Sequence, residues 1–112
     1  MIPVEKDDIR NAYTKGLTLF VSAIERGEET GKLNDAEWFA STLKYGIKNF
    51  GLDANQLAED ESISRGAISK WINEKATPPA PTRKTVIHWA LKKAKEQLVA
   101  MTDLNKFHDL PV

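Results

Sequence analysis

One stretch of the chain, residues 57–71, restricts the fold most strongly. Its sequence, LAEDESISRGAISKW, is typical of two short helices joined by a tight turn. Helices that cross steeply need a small residue where their backbones approach, and Ala58 fits that need. An apolar residue must fill the turn, and Ile63 fits that position, while Ser64 is placed to cap the second helix. The stretch therefore predicts a helix-turn-helix unit.

The second helix of this unit is predicted to have two distinct faces. Ile68 and Trp71, three residues apart, form its inner face. Its outer face is predicted to carry small, polar and cationic residues, namely Arg65, Gly66, Ser69, Lys70 and Asn73. Cationic and amide side chains at such positions can donate hydrogen bonds to base edges in the major groove of DNA.

The N-terminal segment predicts a further long helix, from about Val4 to Arg26. Gly27 and Gly31 bracket the charged linker that is expected to end it. Apolar residues recur at three- and four-residue steps along one stripe, which consists of Ile9, Ala12, Tyr13, Leu17, Phe20, Val21 and Ile24.

Capping signals predict where the next helices begin. Asn34 and Glu37 have the spacing of a capping box at the start of a second helix, and Gly51 has the residue type that follows a helix end. Asp53 and Gln56 repeat the box for a third helix. The apolar residues of the second helix are expected mostly on one face, and they are Phe39, Leu43, Tyr45, Ile47 and Phe50.

Prolines separate the last two predicted helices. The fourth helix is expected to run to about Glu74, because Pro78, Pro79 and Pro81 cannot continue it. A fifth helix is expected from Pro81 or Thr82 to about Ala100. Residues 102–112 are expected to be a tail in which Phe107 and Leu110 pack loosely or dock on a partner. The prediction is an all-α fold without strands.

Composition excludes several kinds of site. The chain has no cysteine, and His88 and His108 lie too far apart to suggest a metal centre, so we expect no cofactor. We find no nucleophile–base pair and no glycine-rich phosphate loop, so we expect no enzyme. No apolar run approaches the roughly 20 residues that span a bilayer, and the N-terminus is not a signal peptide, so a cytoplasmic protein without membrane contact is expected.

The charges of the chain are segregated although they cancel overall. Residues 62–95 hold eight cations and one anion, Glu74, a net charge of +7, and the remaining residues carry −7. This positive segment, residues 62–95, begins close to the predicted second helix of the helix-turn-helix unit, and a positive surface there favours a polyanionic partner. Lys92, Lys93 and Lys95 are equally well explained as the solvated face of a helix.

The aromatic residues offer stacking platforms for single strands, but their helical spacing favours another role. Trp71 and Trp89 are predicted to lie in the core. Trp38, beside Phe39, is expected to line a groove or an interface, and His88 is expected at the surface.

The register of the unit resembles the lambda-repressor and Cro family of helix-turn-helix regulators, also called the XRE family. The resemblance covers about residues 35–100, and it rests on Leu57-Ala58, Ile63-Ser64, Ile68-Ser69-Lys70-Trp71 and Pro78. It implies a five-helix lambda-repressor-like domain at residues 34–101, whose helices begin near Asp35, Ala54, Ser64 and Pro81, followed by one more. The helix in residues 1–33 is additional, and it either packs across the core or mediates dimerisation.

The resemblance also implies which residues contact DNA. Contacts to bases or to the groove carry over to Ser64, Arg65, Gly66, Ser69, Lys70 and Asn73. A phosphate contact carries over to Gln56, and the positive segment adds Lys75, Arg83 and Lys84 as phosphate contacts. The sequence departs from the family at Ser62 and Glu74, where glycine is usual, at Glu61, where an apolar residue is usual, and in its longer proline-rich loop. The acidic residues Glu59-Asp60-Glu61 are expected to face away from DNA.

Two functions follow as hypotheses. The first is a sequence-specific regulator of transcription, a repressor of phage, plasmid or bacterial type that binds double-stranded DNA as a homodimer on a palindromic operator. The alternative is a helical protein-interaction module, such as an antitoxin or a phage protein that engages a host factor. The long apolar first helix and the acidic N-terminal half would then be the working surface.

Overall fold

The computed structural model describes residues 6–109, and side chains are described for residues 9–101. Over that range the chain forms α-helices and no strand, which confirms the predicted all-α class. One turn of 3-10 helix, Lys32–Asn34, follows the first α-helix. The α-helices are α1 (Lys6–Glu29), α2 (Ala36–Asn49), α3 (Ala54–Asp60), α4 (Arg65–Ile72) and α5 (Ala80–Asp109).

Helix α1 continues past the glycine that was expected to end it. Gly27 lies inside the helix and is buried, and α1 ends at Glu29, before Gly31 with its left-handed φ of 77°. A Cβ atom at Gly27 would overlap the indole of Trp38, whose Cε2 atom would be only 2.9 Å away. The prediction was wrong because this glycine allows a close helix–helix approach instead of terminating α1. Val4, the predicted start, lies outside the described residues.

The cap of α2 lies one residue later than predicted. Asp35 is the N-cap, and its carboxylate accepts hydrogen bonds from the backbone N–H groups of Glu37 and Trp38 at 2.9 and 3.2 Å. Asn34 belongs to the 3-10 turn. At the other end of α2, Gly51 has a φ of 65°, which confirms the predicted left-handed residue after the helix.

Helices α3 and α4 begin at the predicted caps but differ in detail. Asp53 accepts a hydrogen bond from the backbone N–H of Asn55 at 2.8 Å. The second capping box does not form in the structure, since the Gln56 amide donates to Asp60 instead. Helix α4 ends at Ile72 rather than near Glu74, with Asn73 as its C-cap.

Helix α5 is longer than predicted at both ends. It begins at Ala80 and extends to Asp109, although an end near Ala100 was expected. Residues 102–109 therefore continue the helix instead of forming an irregular tail. The predicted packing of Phe107 lies outside the described side chains, and Leu110 lies outside the described residues.

A single apolar core joins α1 to the other helices. Leu17, Phe20, Val21 and Ile24 of α1 are buried together with residues of every other α-helix and of the connections. Packing across the core was one of the two roles expected for this helix. The remaining core side chains are Phe39, Leu43, Phe50, Leu52, Leu57, Ile68, Trp71, Val86, Ile87, Trp89, Ala90 and Ala94.

The predicted apolar stripes are not buried over their whole length. Ile9 and Ala12 are exposed at the start of α1, and Tyr45 of α2 is 53% exposed. Trp71 and Trp89 lie in the core, as predicted, whereas Trp38 is half-buried against Gly27. In the described part of the chain, none of the helices has the length and apolar character needed to cross a membrane.

Candidate nucleic-acid interface

Helix α4 separates its residues into an inner and an outer face. Ile68 and Trp71 are buried, and the Trp71 ring packs edge-on against Phe39 of α2 with centroids 6.1 Å apart. The six residues predicted to contact bases or the groove are all exposed, and they are Ser64, Arg65, Gly66, Ser69, Lys70 and Asn73. Their spacing of one, three and four residues places those in the helix on one side of α4. The packing of the inner face therefore fixes how the outer face is presented.

Ser64 positions the start of this face. Its hydroxyl oxygen accepts a hydrogen bond from the backbone N–H of Ala67 at 3.1 Å, so the side chain is the N-cap of α4. The hydroxyl hydrogen is still available as a donor to a ligand. The next outward position is Gly66, where an added Cβ would meet nothing within 4 Å. The first turn of α4 thus offers open space and no bulky side chain.

The Arg65 guanidinium is held by a residue that sequence reasoning missed. Its Nε–H donates to Oδ1 of Asn55, at 2.5 Å, across the unit from α4 to α3. Both side chains are exposed. The two terminal nitrogens of Arg65 have four further N–H donors, which suit bidentate recognition of guanine or phosphate. The signal in the sequence was the place of Asn55 as the second residue of α3, two residues after the Asp53 cap and so near the N-terminus of that helix.

The C-terminal half of the outer face is also ordered by local hydrogen bonds. The Asn73 amide donates to the Ser69 hydroxyl at 3.4 Å. The carbonyl of Lys70 accepts the backbone N–H of Lys75 at 2.8 Å, which folds the following loop back onto the end of α4. The Lys70 and Lys75 side chains are exposed, so two ammonium groups lie near this end of the helix.

The turns on both sides of α4 contain non-glycine residues with left-handed backbones. Ser62 has a φ of 54° and Glu74 a φ of 57°. These are the two positions at which the family resembled by the sequence usually has glycine. The backbone N–H of Ile63 donates to the carbonyl of Ala58 at 3.0 Å, and Ile63 packs against the core as expected for the residue that fills the turn. The chain therefore makes a sharp turn on each side of α4 without glycine.

The four residues predicted to contact phosphate divide into two groups. Lys75 and Lys84 are exposed and without a competing partner in their described surroundings. Arg83 is half-buried, and it donates from Nε to the carbonyl of Leu33 and from Nη1 to the carbonyl of Pro78, both at 2.7 Å. The Gln56 amide donates to Asp60 at 2.6 Å. Arg83 thus joins the proline-rich loop and the 3-10 turn to α5 by hydrogen bonds. The Gln56 amide has an intramolecular partner as well.

Asp60 is held against α5. Its carboxylate accepts the Trp89 indole N–H at 2.9 Å and lies 3.6 Å from the Lys93 ammonium. The Trp89 indole, followed by the Gln56 amide and the nearby Lys93, holds the pKa of the Asp60 carboxyl below its usual value of 3.8. Asp60 is therefore anionic at neutral pH and its charge is offset by α5. Glu61 lines the same cleft with Asp60 and α5 residues.

The histidine whose side chain is described bridges two helices. His88 of α5 is exposed, as expected, and its Nε2 lies 2.8 Å from Oε1 of Glu28 in α1. This contact joins the N-terminal helix to α5.

Comparison with known proteins adds no relative. No protein-family model matches the chain, and no curated protein or solved structure shows significant similarity to it.

Proposed function

We propose that the chain is a sequence-specific, double-stranded DNA-binding regulator of transcription with a lambda-repressor-like fold. Helices α3 and α4 would be its helix-turn-helix unit, and α4 would enter the major groove. The observation that carries the proposal is the outer face of α4, where six exposed small, polar or cationic residues stand opposite a buried apolar face.

The positions of the helices support the proposed fold. Helix α2 is capped by Asp35, α3 begins at Ala54, α4 is capped by Ser64 and α5 begins at Ala80, close to the four starts that the resemblance implies. The left-handed backbones at Ser62 and Glu74 support it further. The chain departs from the family after residue 80, since the long α5 takes the place of two helices within the described residues.

The charge distribution supports separate residues for phosphate contacts and for base contacts. Exposed Lys75 and Lys84 would contact phosphates and supply affinity for any duplex. Arg65, Lys70 and Asn73 would read base edges and supply specificity. A dimer on a palindromic operator near a promoter would repress by excluding the polymerase. A protein in this role would act in the cytoplasm.

A set of three alanine variants tests the proposal on labelled duplexes by fluorescence anisotropy over a range of salt. Arg65→Ala is expected to cost about 1–3 kcal/mol on the preferred sequence and to relax preference at one base pair. Lys84→Ala is expected to weaken binding to all duplexes equally and to reduce the salt slope by about 1. Lys44→Ala, an exposed lysine of α2, is the matched control and should bind like the parent.

Two results would overturn the proposal. One is a parent protein without affinity for any duplex at low salt. The other is a parent that binds DNA while Arg65→Ala and Lys84→Ala retain its affinity, specificity and salt slope, because the outer face of α4 and the positive segment would then not be the DNA-binding surface.

A further inference from the structure

Two strongly exposed apolar side chains, Leu19 and Tyr45, line the same groove. Among the residues whose side chains are described, the large hydrophobics that are more than half exposed are Ile9, Leu19, Tyr45 and Val99. The first two belong to α1 and the third to α2. Large exposed hydrophobic side chains that cluster in this way mark interaction surfaces, whereas scattered ones do not.

This groove lies between α1 and α2. Its volume is about 400 Å³, and no charged residue lines it. Leu19, which is 61% exposed, and Tyr45 stand at its edges, while Gly16 and Ala23 leave it open. The remaining lining residues are Phe20, Ile24, Ser41 and Thr42. We call the groove, together with Ile9 and Ala12, the α1–α2 patch.

The α1 part of this patch has the spacing of a helix-pairing seam. Its residues alternate at steps of three and four, and they are Ile9, Ala12, Gly16, Leu19 and Ala23. A seven-residue repeat of this kind is the pattern of helices that pack side by side. Phe20 and Ile24 line the groove and also belong to the core, whereas Leu17 belongs to the core alone. The apolar surface of α1 is therefore wider than the part that the core covers, and Ile9, Ala12, Leu19 and Ala23 remain exposed beside it.

We infer that the α1–α2 patch binds a second copy of the chain, with the two α1 helices antiparallel around a two-fold axis. The patch is self-complementary in shape, because it holds both a protruding side chain, Leu19, and a position without one, Gly16, three residues away. An antiparallel pair with the axis between these positions places Leu19 over the partner's Gly16, and symmetry repeats the contact. Two uncharged surfaces meet without the cost of desolvating like charges.

Charge along α2 favours the same orientation. Glu37, Ser41, Tyr45 and Lys48 are exposed and spaced by four, four and three residues, so they form one stripe beside the groove. The stripe is negative at its N-terminal end and positive at its C-terminal end. A two-fold axis through its middle brings Glu37 of each copy towards Lys48 of the other, whereas a parallel pair would oppose like charges.

The patch and the outer face of α4 have no residue in common. Two copies joined through α1 and α2 would therefore leave both α4 helices free, which is what binding to a two-fold symmetric operator requires. This consequence rests on the proposed function, but the interface itself does not. It is tested without DNA, so that failure of the dimer and failure of DNA binding are distinguished.

Sedimentation equilibrium of the full chain at several concentrations tests the inference. The parent is expected to have twice the mass of the 12.6 kDa chain. Leu19→Glu places a carboxylate at the centre of the seam and is expected to weaken association at least about a hundredfold while the helical circular dichroism stays unchanged. Val99→Glu is the matched control, since Val99 is 60% exposed on α5, outside the patch, and this variant should remain dimeric.

A charge exchange tests the antiparallel orientation. Glu37→Lys and Lys48→Glu should each weaken the dimer by roughly fivefold at low salt, and the double exchange should restore parental association. A monomeric parent, a dimeric Leu19→Glu, or a dimer that only Val99→Glu dissociates would overturn the inference. A double exchange no better than the single ones would overturn the orientation.

Discussion

Two residues beside α4 adopt a backbone conformation that is unfavourable for any side chain. Ser62 and Glu74 both lie in the left-handed region, with φ values of 54° and 57°. For a residue with a Cβ this region costs about 1–2 kcal/mol, and glycine avoids most of that cost. Neither side chain has a described contact that requires its identity. The protein therefore holds strain on both sides of the proposed recognition helix.

Replacement of these residues by glycine is expected to stabilise the fold. Ser62→Gly and Glu74→Gly should each raise the free energy of unfolding by roughly 1 kcal/mol, which urea denaturation can measure. Ser62→Ala and Glu74→Gln keep the Cβ atom, so the free energy of unfolding should change little. Glu74→Gln also distinguishes the effect of the negative charge from that of the backbone conformation. Glycine variants that are less stable than the parent would show that the turns need these side chains.

Two glycines inside helices are expected to respond in opposite ways to the same substitution. Gly27→Ala should lower the free energy of unfolding by about 1–2 kcal/mol, because the new Cβ would overlap the Trp38 ring where α1 meets α2. The Cβ of Gly66→Ala would lie in open space, so this variant should raise the free energy of unfolding by up to about 1 kcal/mol. Thermal unfolding followed by circular dichroism measures both. Equal effects would mean that α1 and α2 are not so close at this point.

At the level of helices, Asp60 connects α3 to α5. Since its pKa is lowered in the folded state by Trp89 and then Gln56, folding favours the ionised carboxylate. The resulting stabilisation is fully present above the unfolded-state pKa and is lost as the pH falls through the lower, folded-state pKa. Acid should therefore loosen the contact between α3 and α5.

The variant Asp60→Asn isolates this effect, since it keeps an oxygen acceptor for the Trp89 indole but cannot ionise. Between about pH 5 and about pH 2 the parent is expected to lose more stability than the variant, as measured by urea unfolding across that range. Parallel pH profiles for the two proteins would contradict the assignment of the lowered pKa to this carboxylate.

Several local features of the helices were predictable from sequence, although the Asn34 cap and the capping box at Gln56 were not, and contacts between distant residues were not predictable. Asp53, Ser64 and Gly51 act within a few residues of their own position, so their types predicted helix ends correctly. Gly27 was misread because its partner, Trp38, lies on another helix. Sequence also could not show that the Arg83 guanidinium, a predicted phosphate contact, donates to the carbonyls of Leu33 and Pro78, because only the folded chain brings these groups together.

The same limit applies to the candidate site. The outer face of α4 followed from helical periodicity and the Ser64 cap, since both are short-range properties. The hydrogen bond from Arg65 to Asn55 spans ten residues and depends on how α3 and α4 cross. Sequence periodicity also could not show that Ile9 and Tyr45 lie outside the core, because a stripe of apolar residues does not indicate which of them a neighbouring helix covers.

At the scale of the whole molecule, the proposed roles fall on three separate surfaces. The outer face of α4 would read bases, the exposed lysines after it would contact phosphates, and the α1–α2 patch would join two copies. The N-terminal helix completes the core with one part of its apolar surface, and the exposed part would serve assembly. The DNA sequence that the protein selects would then be a property of the dimer.

The most direct test of sequence-specific DNA binding by a dimer is selection of bound sequences by the full chain from a pool of random double-stranded DNA. One consensus with two inverted half-sites should be enriched, with the centres of the half-sites about one helical turn apart. A variant with Ser69 and Lys70 both changed to alanine should lose that consensus while non-specific binding remains. If a folded and dimeric protein enriched no sequence after repeated rounds, the proposed function would be wrong.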